Sequence, residues 1–143
     1  MAGASSWNTK IIDEFRDNHG HVGGPFEGAP LTLIRYRGRK TGSEYVSPVM
    51  YLAANDDPDV FYIFATKSGA PDNPQWYYNL TEAGSGNVEV GDEVFAVTVS
   101  EVTGEERNRI YAEQARRYPG FAEYAEKTAG IRTIPVLALR RSG

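Results

Sequence analysis

Six short strand-prone segments, each fenced by turn signals, constrain the fold of this chain more than any other feature. Leu31 to Arg37 and Glu44 to Ala53 flank the glycine-bounded turn Gly38-Arg39-Lys40-Thr41-Gly42, which predicts a β-hairpin. Val60 to Thr66 follows the polar turn Asn55 to Asp59 and is apolar and aromatic enough to lie inside a barrel. Val88 to Val90 and Val94 to Val102 form a second hairpin across Gly91-Asp92, and Val94 to Val99 is strongly strand-prone. Thr133 to Leu139 supplies the last strand, where Pro135 argues for a bulge or an edge position. Strands this short and numerous are stable when closed on one another, so the expectation is a small, mostly antiparallel barrel of α+β character with peripheral helices.

The helices are read from caps and periodicity. Trp7, Ile11, Ile12 and Phe15 recur at helical spacing among Lys10, Asp13, Glu14, Arg16 and Asp17, and Asn18-His19-Gly20 ends that amphipathic helix. The stretch from His19 to Pro30 is rich in glycine and proline and reads as a loop. Pro74, suited to a first helical position, opens a short helix through Leu80. Thr103 and Glu106 match a capping box, the helix behind them runs to about Tyr118, and Pro119 starts another that ends at Gly130. At 143 residues the chain fits one domain, with the N-terminal helix and loop over 1–22 and the barrel over 23–143.

Composition removes several chemistries. There is no cysteine, hence no thiol nucleophile, cysteine zinc site, iron–sulfur centre or disulfide. The two histidines, His19 and His21, share a glycine loop and read as solvated or capping side chains, so no metal centre is expected. No stretch approaches the roughly 20 apolar residues of a membrane span and no signal peptide is visible, so a cytoplasmic protein is expected. The first helix allows, at most, weak peripheral contact with the inner face of a membrane. The net charge of −4 gives no reason for attraction to nucleic acid. Against that balance, Arg35, Arg37, Arg39 and Lys40 fall between Leu31 and Ser43 without one acid, a local cationic site suited to a small polyanion.

Four segments carry chemistry. In Gly38 to Gly42, glycines free the backbone N–H groups, Arg39 offers a planar fork, Lys40 a point charge and Thr41 a hydroxyl. The plain alternative is a hairpin turn with solvated charges. Ala65-Thr66-Lys67-Ser68-Gly69-Ala70 ends an apolar strand in small and polar residues, a loop able to lie against a planar ring or simply to be exposed. In Asn73-Pro74-Gln75-Trp76-Tyr77-Tyr78-Asn79-Leu80, Trp76 and Leu80 share a face that covers the barrel, and a tyrosine points elsewhere. Tyr118, Phe121 and Tyr124 are spaced three apart, a stripe that packs a core or presents a phenol to a reacting carbonyl.

These segments, with Pro48 to Tyr51, Glu105-Glu106-Arg107 and Arg132-Thr133-Ile134-Pro135-Val136, occur in an order and spacing that resembles the deazaflavin-dependent nitroreductase family of actinobacteria, from about Gly23 to Val136. The resemblance implies a split β-barrel related to FMN-binding folds. It also implies coenzyme F420, a 5-deazaflavin with a phosphate and an oligoglutamate tail. Family members use the reduced cofactor on quinones, nitroimidazoles and other activated unsaturated compounds.

Carried over residue by residue, the family's phosphate contacts fall at Arg39, Lys40 and Thr41, and those of the hairpin's second strand at Val46, Ser47 and Pro48. Those cradling the deazaflavin fall at Phe64, Ala65, Thr66 and Lys67, and those of the short helix at Trp76, Tyr77 and Asn79. Thr66 stands where the best-known branch has serine, and Phe121 where it has the middle of three tyrosines. Tyr118 and Tyr124 keep the other two and, with Thr66, are the candidate proton or hydrogen-bond donors to the acceptor. The expected activity is an F420H2-dependent reduction of quinones, with nitroaromatics reduced weakly for want of the phenol at residue 121. A non-catalytic deazaflavin carrier, and an FMN-dependent reductase on the same barrel, are the competing readings.

Overall fold

The structure, a computed structural model, describes residues 6–24 and 28–142, the side chains of Ser6 and Trp7 excepted. Trp7 on the apolar face of the first helix, and positions 25–27 of the expected loop, therefore lie outside the described side chains and residues. The elements run α1 (Ser6–Asp17), β1 (Leu31–Arg37), β2 (Glu44–Ala53), β3 (Val60–Phe64), α2 (Gln75–Ala83), β4 (Ser85–Val90), β5 (Glu93–Val102), α3 (Gly104–Arg117), α4 (Gly120–Thr128) and β6 (Val136–Arg141).

The six strands close a barrel in the order β1-β2-β3-β6-β5-β4, each neighbouring pair antiparallel. Closure removes the open edges that strands of this length would otherwise expose. In the first hairpin Leu31 lies opposite Met50 and Arg37 opposite Glu44, which leaves residues 38–43 as the connecting turn. Alternation along the strands sorts the core. Ile34, Ile63, Val88, Val97, Leu137 and Leu139 fill the barrel, where Trp76 and Leu80 of α2 join them. On the outside, Leu52, Phe64 and Val136 pack under Ile110 and Tyr111 of α3 and Phe121 of α4. Leu31 and Leu33 pack under Ile11, Ile12 and Phe15 of α1.

Several boundaries move relative to the sequence reading. β3 stops at Phe64, because Thr66 turns into helical backbone and Lys67 and Ser68 are left-handed. β4 starts at Ser85, three residues before Val88. β6 covers Val136–Arg141, so Pro135 makes neither a bulge nor an edge. It stands just outside a strand paired on both sides, and its carbonyl accepts the Ala65 N–H at 3.0 Å. Pro135 has no N–H to give to the ladder, which begins one position later. Pro74 caps α2 in extended backbone and is not its first helical residue. Thr103 precedes α3, yet its side chain makes no capping bond, so the capping box is not formed.

α1 is locked at its C-terminal end. Arg16 grips the buried Glu89 carboxylate with two bonds, of 3.1 and 2.6 Å, and His19 Nδ1 lies 2.7 Å from Asp92. Gly20 has a φ of 95°, and a Cβ there would sit 2.8 Å from Gly91 Cα, so only glycine allows the chain to pass the β4–β5 turn so closely. The apolar side of α1 is thus turned to the barrel, and no helix among the described residues is long and apolar enough to cross a membrane.

On the exposed side of α3, the Arg116 and Arg117 guanidiniums hold the Glu113 carboxyl down to about 2. A depressed carboxyl stabilises the fold above its ordinary value of 4.5, and that contribution is lost as pH falls through about 2. Glu113→Gln should therefore melt below wild type at neutral pH, with the gap closing through the acid range. A gap that stayed constant with pH would show that the cluster does not form in solution.

Candidate functional site

Two hollows meet α2 from either side. The first, of about 310 Å³, is lined by the 38–41 turn, by Tyr36 and Tyr45, and by Gln75 and Asn79 of α2. The turn is closed by backbone bonds from Gly38 N–H to Ser43 and from Gly42 N–H to Gly38, both 2.8 Å. Arg39 ties it to α2. Its backbone N–H donates to Asn79 Oδ1 at 3.0 Å, and its guanidinium donates to Asn79 at 2.8 Å and to Gln75 at 3.0 Å while lying over the Tyr78 ring. The fork expected to hold an anion is thus engaged in holding the turn. Lys40 is exposed on the same hollow and meets no acid among the described residues. Thr41 Oγ1 accepts the Ser43 N–H, which leaves its own proton to donate outward.

The second hollow, of about 410 Å³, is an apolar cleft between α1, β2, the end of β3 and α4. Ile11, Leu31, Pro48, Met50, Phe64, Trp76 and Phe121 make its apolar lining; Thr66, Lys67, Ser68, Tyr124 and Asn8 are its polar groups. Phe121 is 8% exposed and stands edge-on to Phe64, Tyr111 and Tyr124, with centroids 5.6, 6.3 and 5.5 Å away. Its backbone carbonyl accepts the Tyr111 hydroxyl at 2.6 Å.

The loop at the mouth of this cleft is strained. Lys67 (φ 46°), Ser68 (φ 54°) and Gly69 (φ 84°) are all left-handed, and two of the three are not glycine. The N–H groups of Lys67 and Ser68 meet no acceptor among the described residues. The Lys67 ammonium is bound to Asp72 at 2.9 Å and holds that carboxyl below its ordinary value, so Lys67 offers the cleft mainly its backbone.

The structure gathers most of the sequence-named residues at these hollows. Arg39, Lys40, Thr41 and Asn79 share the first; Pro48, Phe64, Thr66, Lys67, Trp76, Phe121 and Tyr124 share the second. The others lie elsewhere. Val46 packs under α1, the Ser47 hydroxyl is 3.0 Å from that of Tyr36, and Ala65 is fully buried in the barrel core. Tyr77 turns to Glu101 with a 2.6 Å bond, and burial, with that carboxylate, pushes its phenol up to about 12. Tyr118 packs against the core beneath α3 and does not line the cleft. Sequence reasoning missed Gln75, which a helical offset of four from Asn79 would have found, and Ser68. It also gave no role to Arg132, whose partners lie some 60 residues away in sequence.

A sequence model described as F420H(2)-dependent quinone reductase matches residues 7–141. The chain belongs to the F420H(2)-dependent quinone reductase family. A relative from Mycobacterium tuberculosis (strain ATCC 25618 / H37Rv), named F420H(2)-dependent quinone reductase, is 30% identical over 134 residues, covering 89% of this chain and 85% of that protein. The solved structure of an F420-H2 dependent reductase (FDR-A) is 33% identical with a TM-score of 0.67, covering 78% of this chain and 94% of that one. Another, described as a domain-swapped dimer, is 32% identical with a TM-score of 0.68, covering 92% and 93%. The family is one of oxidoreductases whose cofactor is reduced F420, and its fold is the split β-barrel expected from the sequence.

The residues present fit that cofactor. A phosphate with carboxylates needs a cation not already neutralised, and Lys40 supplies one beside the Thr41 hydroxyl. A flat heteroaromatic ring needs an apolar slot with donors at one edge, and the cleft has apolar walls and the unmatched N–H groups of Lys67 and Ser68.

Proposed function

We propose that this protein reduces quinones with a hydride taken from reduced F420, and nitroaromatics only weakly. The observation that carries the reading is the arrangement around α2, with an unneutralised lysine turn on one side and an apolar cleft with polar-edge donors on the other. When bound, the deazaflavin supplies the hydride. The chain's part is to hold and to orient. Lys40 and Thr41 take the anionic tail, with Arg39 fixing the turn. Trp76, Phe64 and Pro48 wall the ring, and the 66–69 loop meets its polar edge. Ile11, Met50 and Phe121 exclude water from the acceptor. As hydride arrives, negative charge develops on the acceptor oxygen, and the Tyr124 phenol and Thr66 hydroxyl are the donors placed on the cleft to meet it. The reading keeps the enzyme in the cytoplasm.

The test is turnover. Purified protein mixed with reduced F420 and menadione should reoxidise the cofactor at a rate proportional to enzyme. Binding without turnover would make it a carrier, and a yellow protein that oxidised reduced FMN instead would move the reading to that cofactor.

α1 supplies part of the acceptor wall through Ile11 and Asn8, and none of its described residues lines the first hollow. Deleting residues 1–18 should therefore change acceptor KM well beyond any change in F420 affinity. It should also lower the melting temperature, since Leu31 and Leu33 lose their cover. Unaltered kinetics with every acceptor would remove α1 from the cleft.

A further inference from the structure

We propose that Arg132 is the positioning residue of the cleft, a clamp that holds the 66–69 loop, left-handed at residues 67–69, against α4 and so fixes the edge of the cleft that meets the ring. The inference rests on the reading of the cleft given above. Arg132 Nε donates to the Ala70 carbonyl at 3.0 Å, one terminal nitrogen to Ala65 at 3.1 Å and to Asn73 Oδ1 at 2.7 Å, and the other to Thr66 at 2.9 Å. One guanidinium thus takes a carbonyl on each side of the left-handed residues and the residue before the α2 cap. Its backbone N–H donates to Thr128 at the end of α4, 3.0 Å away, so the same residue is anchored to the helix that carries Phe121 and Tyr124.

Two further contacts fit the role. A Cβ on Gly69 would lie 2.9 Å from Lys127 Cδ and 3.4 Å from the Tyr124 ring, so the loop passes hard against α4. Arg107 donates two bonds, of 3.1 and 2.9 Å, to the Ile134 carbonyl and thereby ties the segment bearing Arg132 to α3. Left-handed backbone at Lys67 and Ser68 is unfavourable and persists only where its surroundings hold it. With the carbonyls on either side engaged by Arg132, the Lys67 and Ser68 N–H groups remain available to a ligand. A lysine here carries the same charge but lacks the planar fork, and cannot satisfy four acceptors spread around one plane.

The experiment compares wild type with Arg132→Lys, and with Asn73→Ala as a milder variant that removes one of the four bonds. Amide hydrogen exchange is followed on the protein without cofactor, and binding of oxidised F420 is measured separately. Arg132→Lys should speed exchange at the hydrogen-bonded amides of Thr66, Gly69 and Ala70 about tenfold while β1 and β5 exchange as in wild type. It should weaken F420 binding by about tenfold, the loss expected when one or more charge-assisted bonds go. Asn73→Ala should shift both in the same direction by less. Local exchange and affinity at wild-type values in Arg132→Lys would overturn the clamp. So would exchange that rose equally throughout the barrel in both variants, since that describes a general stabiliser. If wild type itself fails to bind F420, the reading of the cleft falls, while the exchange data still decide whether Arg132 holds the loop.

Discussion

Replacing Arg39 and Lys40 together by alanine is expected to weaken F420 binding by about 1.5–3 kcal/mol for each charged hydrogen bond lost, at least tenfold per bond. The two single variants should differ in kind. Lys40 is exposed, meets no acid among the described residues and faces the first hollow, so Lys40→Ala removes charge and little else. Arg39 holds the turn to Asn79 and Gln75 and lies over Tyr78, so Arg39→Ala frees the turn as well. Its effect on affinity should come with greater mobility of residues 38–42. Binding by wild type should weaken with added salt, because an exposed lysine is screened over a Debye length of about 8–10 Å. Isothermal titration of wild type, both single variants and the double variant at two salt concentrations checks the affinities, and amide exchange at residues 38–42 checks the mobility. An affinity equal to wild type would take the turn out of the site.

Phe121→Tyr should raise kcat/KM for nitroimidazoles by up to about 10²-fold, with a smaller change for quinones. Phenylalanine walls the cleft but gives no proton or hydrogen bond. Quinones need little help, since their reduced form is stabilised across a conjugated ring; a nitro group depends more on a placed donor. Three edge-on aromatic neighbours hold the Phe121 ring, so a tyrosine ring keeps the same seat and the hydroxyl is the one new group at that wall. Of the two candidate phenols, Tyr124 lines the cleft and Tyr118 does not. Measuring both substrate classes with both proteins decides the matter. Equal changes for the two classes would mean that residue 121 acts through shape, and strong nitroimidazole turnover by wild type would mean that no phenol was needed there.

The barrel was legible in the sequence because its determinants are local. Gly38 to Gly42 between two strand-prone runs can only be a turn, and the expected limits of β1 and β2 are those observed, Leu31–Arg37 and Glu44–Ala53. The apolar stripe of α1 was likewise visible, since Ile11, Ile12 and Phe15 sit at helical spacing and all three are buried. Boundaries that depend on distant partners were not. Pro135 looked like a strand residue under local pattern, and the ladder that excludes it is set by β3 and β5.

The same division holds at the site. Residue type marked the 38–42 turn and the 65–70 loop as places where an anion and a ring could be held. Only tertiary structure decided what each side chain there does. It engaged the Arg39 fork with α2, turned Tyr77 toward Glu101, and paired the Lys67 ammonium with Asp72. The left-handed backbone of Lys67 and Ser68 had no local warning, because neither is a residue that favours it. It is held by Arg132, whose guanidinium reaches carbonyls 62 to 67 positions earlier in the chain. A sequence states which groups are present and how they repeat, and that determines strands, turns and apolar faces. The pairing of groups far apart in the chain is settled when the barrel closes and the helices pack on it, because only then are the competing partners of each donor within reach.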